Sequence, residues 1–319
     1  MKKFAILMGV CLLLLGQADG QPINRDILGE KVGRFVDSLG PMAGSPLKDV
    51  VDSFKARKFN ETEMAYGIYS WIAKNVSFNT KAYHHPGASN NSASGALNTR
   101  SVSGEGFANL FKAMCDLARI QSVVIDGTAK THPYSIGDIS KAQRHSWNAV
   151  NIRNTWYYVD AAFGAGYTDR KVKYFTTEFT DVWFFTNRSQ FLISHFPNDK
   201  KWQFADEQIN KSQFLQAPVV SPVAIKTEVF YQDGTRGRLK GKKGDCKRVV
   251  FELKKPADIS RVGVEINELN TAADYYIDGN QLFVDVPFPR TGKYPIIVTL
   301  NGKKAYGFLA EVVKKPRRY

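Results

Sequence analysis

The sequence predicts an α+β protein: a helical N-terminal part packed on an antiparallel sheet, followed by a β-sandwich. Three observations carry this expectation. Apolar residues recur at helical spacing from residue 26 to about 120. Runs rich in Val, Ile, Tyr and Trp then follow at 121–127, 145–152 and 155–162. After Pro218, six or seven short alternating runs, among them VAIKTEVFY, RVVFELK, QLFVDVPF and KYPIIVTL, are set apart by turn sequences such as DGT, GKKGD, DGN and NGK. A chain of 319 residues is also too long for one typical core, so more than one domain is expected.

Taken in order, residues 1–20 read MKKFAILMGVCLLLLGQADG, a basic start, a short apolar run and a small-residue end at Ala18 and Gly20. That is the pattern of a secretory signal, with a run too short to span a bilayer. Cys11 follows Val10, where a lipid-anchored cysteine needs a small residue. Residues 21–58 form a helical segment: Ile27, Val32 and Phe35 begin it, and Leu47, Val50, Val51 and Phe54 continue it after Pro46. A second unit, 59–217, opens on Asn60 with Glu63 three residues on, a capping-box start, and Met64, Ile68, Trp71 and Ile72 then form one stripe. Residues 80–103, rich in Ser, Asn, Gly and His, read as a long loop. A helix from Gly104 to about Ala118 should bury Phe107, Leu110, Phe111, Met114 and Cys115. The last unit, 218–319, is the sandwich.

The formal charge is +14; without Lys2, Lys3 and Asp19 of the leader, 42 basic and 29 acidic residues leave +13. Such a surplus favours anionic surfaces, acidic polysaccharide or lipid headgroups among them. It is concentrated in Arg236, Arg238, Lys240, Lys242, Lys243, Lys247 and Arg248, and in a tail ending Lys314-Lys315-Pro316-Arg317-Arg318. No nucleic-acid module is recognisable. Cys115 and Cys246 are too few for a disulfide scaffold, and the five histidines show no metal-ligand spacing, so no metal or other cofactor is expected.

The chemistry concentrates in HSWNAVNIRNTWYYVD. Read as a hairpin turning at Arg153-Asn154, it pairs Ile152 with Thr155, Trp147 with Asp160 and His145 with Ala162. His145 and Asp160 then become diagonal neighbours on one face. A carboxylate beside an imidazole fixes its tautomer and orients it as a general base, although a purely structural His–Asp hydrogen bond has the same appearance.

The run ALNTRSVSGEGFANLFKAMCDLARIQSVVIDGTAK, followed by RHSWNAVNIRNTWYYVDAAFGAG, resembles the transglutaminase-like superfamily. YSWIAKNVSFNT and FFTNRSQFLISHFPNDKKWQF resemble its kyphoscoliosis-peptidase-like branch, and the resemblance covers roughly residues 60–217. It implies a papain/transglutaminase-like core with an immunoglobulin-like sandwich following, and acyl transfer or amide hydrolysis through a Cys-His-Asp triad. His145 falls on the general base and Asp160 on its orienter, but Gly104 stands where the cysteine belongs. Cys115 lies eleven positions along the same helix, about 16 Å away, and Cys246 lies in the other unit.

Three readings stay open. In the first the protein is a secreted pseudoenzyme, a binding or scaffolding module for peptide-like or cell-surface ligands. In the second it is an active amidase, peptidase or acyltransferase using Ser103 with His145 and Asp160. In the third it is a structural surface protein whose β-rich domain and basic residues make the relevant contacts while the cleft is merely inherited. The first expects a cleft at Gly104, lined by Trp71, Glu105 and Trp147, that binds a peptide-like or carboxylate ligand and is not closed by side chains. The destination expected for each is the periplasm or the cell surface, with no membrane insertion after leader removal. Peptide, protein or anionic cell-surface ligands are the expected partners.

Overall fold

A computed structural model describes residues 24–85, 87–205, 207–232, 236–255 and 258–315. The expected leader, the DGT turn at 233–235 and the Arg317-Arg318 tail lie outside these residues. The chain opens helically over 25–39, but Gly29–Gly33 is a π-turn. The extra residue in that turn shifts the phase of the stripe, so Leu28 and Val32 are buried while Ile27 is 59% exposed. Helix α1 (Leu47–Lys55) and helix α2 (Glu61–Asn75) follow, the latter started by the capping box between Asn60 and Glu63.

The region expected as an open loop is more ordered. Asn79 and Ser92 cap short helices at Thr80–His84 and Ala93–Thr99, and Ser101–Val102 pairs in parallel with Ser77–Phe78. Polar residues that read as loop in sequence are here helix caps. Helix α3 (Gly104–Ala118) buries Phe107, Leu110, Phe111, Met114 and Cys115, as its spacing predicts.

An antiparallel sheet receives α3. It consists of β1 (Ser122–Ala129), β2 (Gln143–Ile152) and β3 (Thr155–Val159), with helices α4 (Ala161–Ala165) and α5 (Arg188–Ser194) leading to β4 (His195–Pro197); the spatial order is β3-β2-β1-β4. Asn148 fastens helix to sheet, its Nδ2 donating to the carbonyls of Ala108 (3.0 Å) and Val123 (3.1 Å). The hairpin turns at Arg153 and Asn154, both with positive φ, and keeps the expected register from Ile152↔Thr155 to Asn148↔Val159. It stops there. Asp160 leaves the ladder to cap α4, so the expected pairs Trp147–Asp160 and His145–Ala162 do not form.

Helix α6 (Lys211–Gln216) leads into the C-terminal strands. The first half of the expected VAIKTEVFY strand is instead taken up by a short helix, Pro222–Lys226, opened by the preceding Pro222, and only Val229–Tyr231 (β5) is extended. The remaining strands are β6 (Arg238–Lys242), β7 (Cys246–Leu253), β8 (Val262–Ile266), β9 (Leu269–Ala272), β10 (Tyr275–Asp278), β11 (Gln281–Pro287), β12 (Gly292–Leu300) and β13 (Lys303–Val313). They form two sheets, ordered β5-β7-β11-β10 and β6-β13-β12-β8-β9, with β6 parallel to β13. Alternation buries Leu282, Val284 and Val286 on one sheet against Tyr294, Ile296 and Val298 on the other.

Two apolar clusters organise the molecule. One joins the N-terminal helices to α3, with Val32, Phe54, Ile68, Trp71, Phe107 and Phe111. The other runs from Ile125, Trp147 and Phe191 through Ala217 and Val220 to Val249, Phe251 and Phe308. Lys130, 1% exposed, bolts this junction: its ammonium donates to the carbonyls of Phe214 and Ala217, and sits over the Phe214 ring. Burial pushes that ammonium down to about 7, while the carbonyl acceptors are placed to favour its charged form.

Candidate active site

The start of α3, the N-terminal half of β2 and the cap of α4 converge on one point. His145 projects from β2, opposite Gly127 of β1. Asp160 is fixed from below by its cap, Oδ1 accepting the Phe163 N–H at 3.0 Å. Its other oxygen, Oδ2, lies 2.7 Å from His145 Nε2. The two residues expected to meet do meet, by a helix cap rather than by cross-strand pairing.

A third residue joins them. His195, fully buried at the start of β4, places its Nε2 2.9 Å from the same Asp160 oxygen. Its Nδ1 is 2.9 Å from Ser194 Oγ, whose hydroxyl can donate to it. Linear spacing hid this residue: it lies 35 positions from Asp160 and reaches it only because β4 pairs with β1. The one signal was its place inside FFTNRSQFLISHFPNDKKWQF.

Burial opposes the charge on Asp160, but the charge and hydrogen bonds of His145, with those of His195, outweigh it and hold the carboxyl below the ordinary carboxylate range. Burial likewise pushes His195 below the usual imidazole value, against the pull of Asp160. The network therefore reads as one carboxylate accepting two Nε2–H bonds, with His195 neutral. Aromatic rings enclose it. Phe163 lies 4.8 Å from both imidazoles, Trp147 is 6.1 Å from His145 and 5.1 Å from His195, and Phe191 stacks on His195 at 3.9 Å.

With Nε2 committed to Asp160, His145 presents Nδ1 to the start of α3. A Cβ placed on Gly104 would stand 2.5 Å from that nitrogen and 2.8 Å from Cε1. The imidazole thus lies in the space that any side chain at position 104 would enter, and both residues are shielded, His145 to 7% side-chain exposure. The ring lies over the glycine, where the expected cleft would begin. A glycine is what allows so close an approach.

The other candidates are placed as follows. Ser103 is the N-cap residue of α3, but its hydroxyl makes no capping bond, and none joins it to His145 among the described residues. Glu105 is exposed and accepts from Asn91 Nδ2 at 3.1 Å. Trp147 flanks both histidines. Trp71 is not beside them; it is fully buried in the N-terminal cluster, donating to the Gly40 carbonyl at 2.8 Å and covered by Arg100 at 4.5 Å. Burial raises the Cys115 thiol to about 12, so it is a core side chain, and Cys246 is exposed in the sandwich.

His145, Asp160 and His195 offer ligand atoms within 4.8 Å of one another, the donor types of a transition-metal site. Both Nε2 atoms are spent as hydrogen-bond donors to one oxygen, so a metal would have to break both bonds. Without one, the set can hold a base lone pair at Nδ1 and stabilise the charge that proton uptake creates.

Residues 48–161 match the model of the transglutaminase-like superfamily. The kyphoscoliosis peptidase of Mus musculus is 27% identical over 188 residues, 56% of this chain and 28% of that protein. The LIM and transglutaminase domain protein of Caenorhabditis elegans is 27% identical over 200 residues, 58% of this chain and 27% of its own length. The chain thus spans less than a third of either relative. A crystal structure of a putative cysteine protease from Cytophaga hutchinsonii aligns with a TM-score of 0.29 at 21% identity, covering 36% of each chain.

Proposed function

Because residues 48–161 form a transglutaminase-like domain homologous to part of kyphoscoliosis peptidase, we propose that this is a disarmed member of that chemistry, working as a binding or scaffolding module. One observation carries the reading: His145 Nδ1 occupies the space above Gly104 where the thiol of a Cys-His-Asp triad would be attached. The base and its orienter are in hydrogen-bond contact, and no attacking atom faces them among the described residues. Ser103 would have to turn its hydroxyl onto Nδ1 to replace a thiol, and a hydroxyl is much harder to ionise. With the imidazole over Gly104, binding of peptide-like or cell-surface ligands is assigned to surfaces outside the cleft. The chain is exported, to the periplasm or the cell surface, under the signal read at residues 1–20.

Amide hydrolysis and transamidation by the full-length chain, beside Gly104→Cys, Ser103→Ala and His145→Ala, test this. No turnover is expected from the unaltered protein. Gly104→Cys should gain iodoacetamide-sensitive activity once the imidazole shifts to admit the side chain. Wild-type turnover abolished by Ser103→Ala overturns the reading.

A further inference from the structure

The basic run from Arg236 to Arg248 takes no part in the cleft, and the fold gives it a separate place. It lines a cavity of about 1130 Å³ where α6 and residues 136–137 meet the open side of the sandwich. Lys211, Arg236, Arg238, Lys240, Lys247 and Arg248 all face it, and none of the lining residues among those described is acidic. Two of these cations are already engaged. Arg238 lies 3.4 Å from Glu311 and donates to the Ile136 carbonyl, and Arg248 forks onto Asp285 at 2.8 and 2.7 Å. Lys211, Arg236, Lys240 and Lys247 have no carboxylate in ion-pair contact among the described residues.

The same cavity exposes strand edges. Among the described residues β6 pairs with β13 alone, in parallel. Leu309 N–H bonds Gly237 O, and Lys243 N–H bonds Val313 O, so the odd-numbered residues turn their peptide groups to β13. The peptide groups of Arg238 and Lys240 therefore face outward and find no hydrogen-bond partner among the described residues. Opposite, β5 pairs with β7 at Phe251–Leu253, and among the described residues no strand pairs with the β5-facing side of Cys246–Val249.

An unpaired strand edge takes up extended chain, and cations along it select an acidic one. A second copy of this protein, at +14, is electrostatically disfavoured. The apolar walls formed by Leu215, Leu239 and Val249 suit the alternate side chains of a strand. We propose that the free edge of β6 is a docking strand for an extended acidic peptide segment of a partner protein, paired with the backbone of Arg238 and Lys240 and set against Lys211, Arg236, Lys240 and Lys247. This deepens the binding role proposed above by naming a surface and a partner chemistry. It uses no residue of the cleft: docking is read by peptide binding and the cleft by turnover, so either can fail alone.

The test is fluorescence anisotropy of a labelled alternating Glu-Val peptide of about ten residues with the full-length chain. Saturable binding is expected, with none for the Lys-Val counterpart. Lys240→Glu combined with Lys247→Glu should weaken binding by about tenfold or more. Lys240→Pro removes an outward N–H without touching the β13 ladder, so it should cost several-fold more than Lys240→Gln, which removes the charge alone. Should the proline variant not fold, an N-methylated peptide, unable to pair, makes the same comparison on the unaltered protein and should bind about tenfold more weakly. Equal binding of methylated and unmethylated peptide overturns the docking strand, as does tighter binding of a heparin oligosaccharide or phosphatidylserine vesicles than of the acidic peptide.

Discussion

Asp160 is the residue on which the cleft depends, since one carboxylate oxygen holds two imidazoles and the other holds a helix cap. Asp160→Asn keeps the shape but removes the buried charge, and should lower stability by about 3 kcal/mol, measured by urea unfolding. The pH dependence follows from the two shifted groups. His195 is held neutral in the fold, whereas an unfolded imidazole takes up a proton below about pH 6.5; its contribution is full above that pH and declines as pH falls below it. Asp160 stays ionised below the usual carboxylate value, so its share is full above about pH 4 and is lost as pH falls toward its lower folded value. Urea midpoints should therefore fall in two stages on acidification, with the lower stage absent in Asp160→Asn. His145 and Asp160 were legible at this scale from family order, whereas the cross-strand pairing expected to join them gives way to the α4 cap. His195 was not, because its partner is reached through a strand pairing that no local pattern announces.

At the scale of elements, sequence periodicity located α2, α3 and the β2–β3 hairpin closely, since each carries a clear stripe, cap or turn. It failed where polar residues cap short helices over 80–99 and where a π-turn moves Leu28 into the place expected of Ile27. The segment between α5 and the sandwich was also illegible, and its anchor explains why. Lys130, on the far side of the sheet in sequence, satisfies the carbonyls of Phe214 and Ala217. Lys130→Met keeps the stem but leaves those carbonyls buried without a donor. It should lose about 2 to 3 kcal/mol in urea unfolding. Proteolysis near residues 211–218 should quicken in the same variant.

At the scale of the whole molecule, the second apolar cluster passes without interruption from Trp147 and Phe191 to Phe251 and Phe308. Composition and turn spacing anticipated a helical part followed by sheets, but not a core shared between them. Calorimetry should accordingly record one cooperative transition, and a chain ending at residue 217 should fail to fold cooperatively because Ala217, Trp147 and Phe191 lose apolar neighbours. Two resolved transitions, or a folded fragment, would contradict a shared core.

The rings around His145, Asp160 and His195 have an optical consequence. Two of the five tryptophans stand against its imidazoles, Trp147 5.1 Å and Trp183 5.4 Å from His195. A protonated imidazole accepts an electron from an excited indole, so emission should dim reversibly only as acidification forces a proton onto His195, below the usual imidazole range. Trp147→Phe should remove much of that change. The protein then carries its own fluorescent gauge of proton occupancy at His195, readable without substrate, label or turnover.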